Sequence, residues 1–100
     1  MVKHIVLWRL KDSALGNTKA ENARLIKQKL ESLRGVVPGL LKAEVGIDFG
    51  KSDQSYDVAL YCEFESKEAL RGYQEHPAHR AAVSFIREVR EERCVVDYEL

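Results

Sequence analysis

Seven residues, YQEHPAH from Tyr73 to His79, hold two of the chain's three histidines and one of its four tyrosines around a proline. An imidazole titrates close to neutral pH and can take up or release a proton, while a tyrosine hydroxyl can stabilise a developing enolate or carbonyl oxygen. Tyr73 falls in the last turn before the proline and His79 in the first turn after it, so a corner there can bring both side chains over one cavity. His79 lies about three residues into the second helix, where the positive end of the helix dipole disfavours an imidazolium, and a neutral ring able to act as a base is expected. His4 and Asp97 fall on segments expected to be neighbouring antiparallel strands. There the carboxylate can accept from the imidazole N–H and fix its tautomer.

The same residues also fit plainer roles. Inward-facing polar groups need partners whether or not they catalyse. His76, directly before Pro77, reads as a boundary residue, and Trp8 reads first as core and second as a platform for a ligand. His76 and His79 have H-x-x-H spacing, but the proline between them and the lack of nearby Cys or carboxylate patterns argue against a metal. Arg80, Arg87, Arg90 and Arg93 read as a solvated helix face.

The elements that must position these groups follow from periodicity and caps. KHIVLWRL, residues 3–10, is strand-like, with His4, Val6 and Trp8 on one face and Ile5 and Leu7 on the other. Thr18 and Glu21 have capping-box spacing. Ala23, Ile26, Leu30 and Leu33 then recur at helical intervals until Gly35, which predicts a helix over 18–34. LLKAEVGIDF alternates, with Ala43, Val45, Ile47 and Phe49 on one face. The polar stretch 50–55 then links it to YDVALYCEF in a hairpin. Ser66 caps a helix that Pro77 interrupts, pushing His76 toward extended geometry and starting a new helix over 77–91. CVVDYEL closes the chain as a fourth strand.

The order β-α-β-β-α-β is that of an α+β, ferredoxin-like sandwich: one domain over 1–100, a four-stranded antiparallel sheet with its helices on one face. Two helical segments cover only one face, yet Ile5, Leu7, Ala59 and Tyr61 put apolar side chains on the other. A face four strands wide and six residues long spans on the order of 400 Å², near the largest apolar patch a soluble monomer exposes. A second copy is the natural cover, so a homodimer with the two sheets face to face in a barrel-like core is predicted.

Composition narrows the partners. Lys plus Arg equals Asp plus Glu at 16 each, with the signs interspersed, so no basic face for nucleic acid appears. The N-terminal MVKHIVLWRLKD offers no leader pattern and falls far short of the roughly 20 apolar residues of a membrane span, so no membrane partner and a cytoplasmic location are expected. Cys62 and Cys94, both in strand-like runs, read as buried, unreactive thiols on strands too far apart to be bridged.

VKHIVLWRLKD, VVPG, YDVALYCEFES, GYQEHPAH and the terminal VVDYE together resemble the stress-responsive dimeric α/β-barrel family over essentially the whole chain. Within that family the chain is similar to polyketide cyclases of the olivetolic acid type. There the counterparts of Tyr73 and His79 act in an intramolecular aldol ring closure, and those of His4 and Asp97 belong to the pocket. The chain departs from those cyclases in offering Ile26, Lys27 and Leu30 where they carry bulky aromatics, Ala81, Ala82 and Val83 beyond the second histidine, and Arg90 and Arg93 near apolar positions. A differently shaped cavity with a more cationic entrance is expected. The expected function is a homodimer that binds a small hydrophobic or aromatic ligand between sheet and helices, in a pocket walled by His4, Val6, Trp8 and Asp97, without a cofactor. Two alternatives are a lyase-type polyketide cyclase using His79 and Tyr73, and a cofactor-free monooxygenase or haem-binding member of the wider superfamily.

Overall fold

The computed structural model describes residues 1–100. Strand β1 (Val2–Leu10) buries every second residue, Val2, His4, Val6, Trp8 and Leu10, as a strand covered on one face should. A short hairpin, β2 (Ser13–Ala14) with β3 (Asn17–Thr18), follows and was not foreseen. Its turn places Leu15 and Gly16 at φ of 53° and 76°, the paired left-handed geometry of a two-residue hairpin. Helix α1 (Lys19–Glu31) starts in the predicted capping box. The Thr18 hydroxyl accepts from the Glu21 N–H at 3.2 Å, and the Glu21 carboxylate accepts from the Thr18 N–H at 2.9 Å.

Strands β4 (Leu40–Ile47) and β5 (Val58–Phe64) form the expected hairpin. Phe49, read as continuing β4 on the face of Ala43, Val45 and Ile47, instead lies beyond the strand's end and is almost fully exposed. Between α1 and β4, Gly39 has φ +78°, and a β-carbon there would come within 2.6 Å of the Ala69 methyl. Only glycine lets the next helix pack this close. Ser66 caps α2 (Lys67–Glu75) by accepting from the Ala69 N–H. Pro77 opens α3 (Pro77–Val89) after His76 takes the extended conformation its position dictates.

The final strand, β6 (Arg90–Glu99), begins at Arg90, earlier than the apolar CVVDYEL run indicates. The sheet is antiparallel in the order β4-β5-β1-β6, the ferredoxin-like arrangement, with β1 central and His4 paired with both Cys62 and Asp97. No helix is long and apolar enough to cross a membrane.

The two faces of this sheet differ sharply. Val6, Trp8, Val58, Leu60 and Phe64 pack against Ala23, Ile26 and Leu30 of α1 and Ala82, Ile86 and Val89 of α3. Each large side chain fully buried there contributes roughly 1.5–3 kcal/mol. The opposite face carries Ile5, Leu7, Ala59 and Tyr61, half-buried by their own neighbours, with Val96 52% and Tyr98 41% exposed. At its edge Lys3 donates to Tyr61 and Glu63, which raises the lysine pKa through those hydrogen bonds. Cys94, opposite Leu7, is exposed on this open face rather than buried. Cys62 is buried as expected, and β1 separates the two.

Candidate functional site: a histidine-lined cavity under helix α3

The break at Pro77 turns the chain so that α3 starts near His4 and ends at Lys11, whose N–H donates to the Val89 carbonyl. His76 does the work of a cap, its Nδ1 accepting from the Ala78 N–H at 3.1 Å, so it serves the boundary as expected. His79, a turn later, hangs over β1. There its Nδ1–H donates to the Gln74 carbonyl at 3.3 Å, which leaves Nε2 as the free, basic nitrogen. On the sheet below, the β1–β6 register sets His4 opposite Asp97, and the His4 Nδ1–H donates to the carboxylate. The same tautomer follows: His4 also keeps Nε2 free.

Both imidazoles line a cavity of about 690 Å³ between the sheet and α3, closed at its base by Val6, Trp8, Leu30 and Leu60. Along α3 the lining residues Arg80, Val83, Ser84 and Arg87 form a single stripe at helical spacing. Asp97 does not reach the cavity. It stands behind His4 and borders a second, shallower hollow with Leu70, Arg71 and Gln74.

Tyr73 departs from the expectation that it faces the cavity beside His79. It is fully buried and absent from the lining, with its ring 4.2 Å from that of His79 and edge-on to Phe64 and His4. Its hydroxyl makes no hydrogen bond and lies beside the Cys62 thiol. Burial first, and that thiol second, push the phenol far above its ordinary range. Burial also pushes the Cys62 thiol up to about 12. The physical reason for this depth is helical spacing: Leu70 and Tyr73, three apart on α2, share its inward face, so Tyr73 points into the core.

The His79 pKa is lowered, mainly because burial disfavours the charged ring; the Gln74 carbonyl opposes this, while His4, Arg93 and His76 reinforce it. Burial and neighbouring charge thus favour a neutral ring, in the direction expected for this position. No three His, Cys, Asp or Glu side chains converge as a metal would require.

Arg90 and Arg93, expected to make the entrance more cationic, do line the cavity, but reading them with Arg80 and Arg87 as one helix face put them on the wrong element. Arg90 and Arg93 stand on β6, and Arg93 is the cross-strand partner of Trp8, so both border the cavity. The signal was the alternation of Arg93, Val95 and Asp97, which extends the closing strand toward its N-terminus.

Comparison with known proteins gives a consistent picture. The family described as Stress Responsive A/B Barrel Domain matches residues 2–100. An uncharacterized protein of Streptomyces coelicolor is 29% identical over 99% of both chains. Among solved structures, a dimeric protein of unknown function and ferredoxin-like fold from Bacteroides fragilis is 33% identical, with a TM-score of 0.82 over 99% of this chain and 95% of that one. A dimeric ferredoxin-like protein from Thermobifida fusca is 28% identical, with a TM-score of 0.85 over 99% of this chain and 90% of that one.

Proposed function

We propose that this chain, which belongs to the Stress Responsive A/B Barrel Domain family, acts as a homodimer in which each protomer holds a small, partly apolar ligand in the cavity beneath α3. The observation that carries this reading is the cavity itself: an apolar floor of Val6, Trp8, Leu30 and Leu60 beside two imidazoles, His4 on the sheet and His79 on α3, whose orientations are fixed from behind. Ligand sites combine such a floor with a few placed polar groups. Dimerisation draws support from the uncovered apolar face of the sheet and from the dimeric relatives.

Native mass spectrometry of the gently purified protein tests both halves. The expected spectrum is a dimer that sheds a small molecule on activation. A spectrum of unliganded monomer at micromolar concentration, together with no change in Trp8 emission across a panel of aromatic compounds, would exclude the reading.

A second reading has its own support in the shared tautomer of His4 and His79. With Nδ1 engaged and Nε2 free, His79 is arranged to take a proton from an acidic carbon, as a lyase-type polyketide cyclase closing an aldol ring requires. Tyr73, proposed from the sequence as its catalytic partner, then serves as a packing support whose ring, tilted by 46°, limits how the imidazole can turn, because its hydroxyl is turned into the core. His79→Ala should remove most turnover of a β-polyketo substrate, a loss of about 10² to 10⁴, and Tyr73→Phe should cost far less. Equal losses for the two would return Tyr73 to the chemistry.

A further inference from the structure

Around the cavity mouth, charge is sorted in a way that the overall composition hides. The chain carries equal numbers of cationic and anionic side chains, yet the cavity lining contains four arginines and no Asp or Glu. Arg80 and Arg87 approach from α3, and Arg90 and Arg93 from the start of β6. None of the four side chains forms a salt bridge or hydrogen bond with another protein group; Arg24 and Arg71 are equally without a carboxylate partner, so what sets the four apart is their convergence on one cavity.

The local sequence does not lack acids that could have paired with them. REVREERC places Glu88, Glu91 and Glu92 among these arginines, and none of the three lines the cavity; Glu92 pairs with Arg9 instead. Arg87 complements the carboxyl end of α3 whatever else it does. That explanation does not extend to Arg93, which is on a strand beside Trp8 and depresses the His79 pKa by its charge. Several unpaired guanidinium groups held around one low-polarity floor form an electrostatic funnel for anions.

We infer that the ligand of this cavity is an amphipathic organic anion, its apolar body lying on Val6, Trp8 and Leu60 and its carboxylate or phosphate head group meeting Arg90 and Arg93. The inference rests on the proposed cavity function and narrows it from a partly apolar ligand to a charged one.

Trp8, the chain's single tryptophan, lies in the cavity floor and reports occupancy directly. Three probes of one shape separate the terms: 4-tert-butylbenzoate, 4-tert-butylbenzamide and 4-tert-butylphenyl phosphate, each titrated against Trp8 emission at low and at moderate salt. At least one of the two anions should bind about tenfold or more tighter than the amide, lose that advantage as salt rises, and lose it in Arg90→Gln/Arg93→Gln. The better of the two anions identifies the head group. The amide should bind the double variant as it binds the parent protein, which also shows that the variant's cavity is intact. Equal affinity for all three probes, or an anion preference that survives the double substitution, overturns the anion inference and leaves the cavity reading standing. If no probe perturbs Trp8, both fall together.

Discussion

The even-numbered residues of β1 and their cross-strand partners behave as one protein, and the odd-numbered residues as another. Val2, His4, Val6, Trp8 and Leu10 are almost completely shielded by the three helices and share that layer with the cavity and both of its histidines. Lys3, Ile5 and Leu7, interleaved with them, look onto a face that no helix reaches. A strand's two-residue period thus separates, within nine residues, the side proposed to hold a ligand from the side proposed to associate. What a substitution does should therefore depend on the parity of its position.

The largest effect is expected on the covered side. Phe64→Ala empties a fully buried aromatic site against His4 and Tyr73 and should cost about 3–5 kcal/mol in urea unfolding. A loss below about 1 kcal/mol would mean that this layer is not the packed core. On the other side, Leu7→Lys sets an ammonium against the opposing sheet, and the variant should sediment as a monomer or fail to fold. An unaltered dimer in this variant would place the association surface elsewhere.

The two thiols probe the same division more gently. Cys62, on the covered side with its pKa pushed up to about 12, should resist thiol reagents until the protein unfolds. Cys94, opposite Leu7 on the open side, should be protected at concentrations where dimers prevail and react faster on dilution. Reaction of Cys94 at one rate across the whole concentration range would contradict coverage of that face by a partner.

The smallest effect concerns pH. Because the folded-state pKa of His79 lies below its unfolded value of about 6.5, the unfolded chain binds the proton more readily. Stability from this group is therefore whole above pH 7 and declines as the pH falls through the unfolded pKa toward the folded one. His79→Gln should flatten the fall in unfolding midpoint between pH 7.5 and 5.5. An unchanged slope would show that His79 is as well solvated in the folded protein as in the unfolded chain.

Features that announce themselves through local chemistry were legible in the sequence. The Thr18–Glu21 box, the Ser66 cap, the helix break at Pro77 and the alternation of β1 each reflect a constraint within a few residues, and together they yield the ferredoxin-like order. The pairing of His4 with Asp97 was legible because strand order in that fold dictates it.

Features set by depth or by a boundary without a marker were not. REVREER contains no glycine or proline to mark where α3 yields to β6, and the short alternation of Arg93, Val95 and Asp97 was the one signal left, so two cavity arginines were read onto the wrong element. The inward direction of Tyr73 follows from its spacing to Leu70, but the depth it reaches depends on how closely α2 approaches the sheet, and the packing of Ala69 on Gly39 that permits this approach leaves no mark in the periodicity.

The pairing of β1 with β6 also bears on how the site comes into being. His4 and Asp97 are 93 residues apart in the chain, and the strands that carry them meet only when almost the entire polypeptide has been drawn into one loop. Such closures are entropically costly and slow compared with the local α2–α3 corner or the β4–β5 hairpin. The Asp97-oriented His4 imidazole is therefore absent until β6 has docked, and the cavity lacks its Arg90 and Arg93 wall until then.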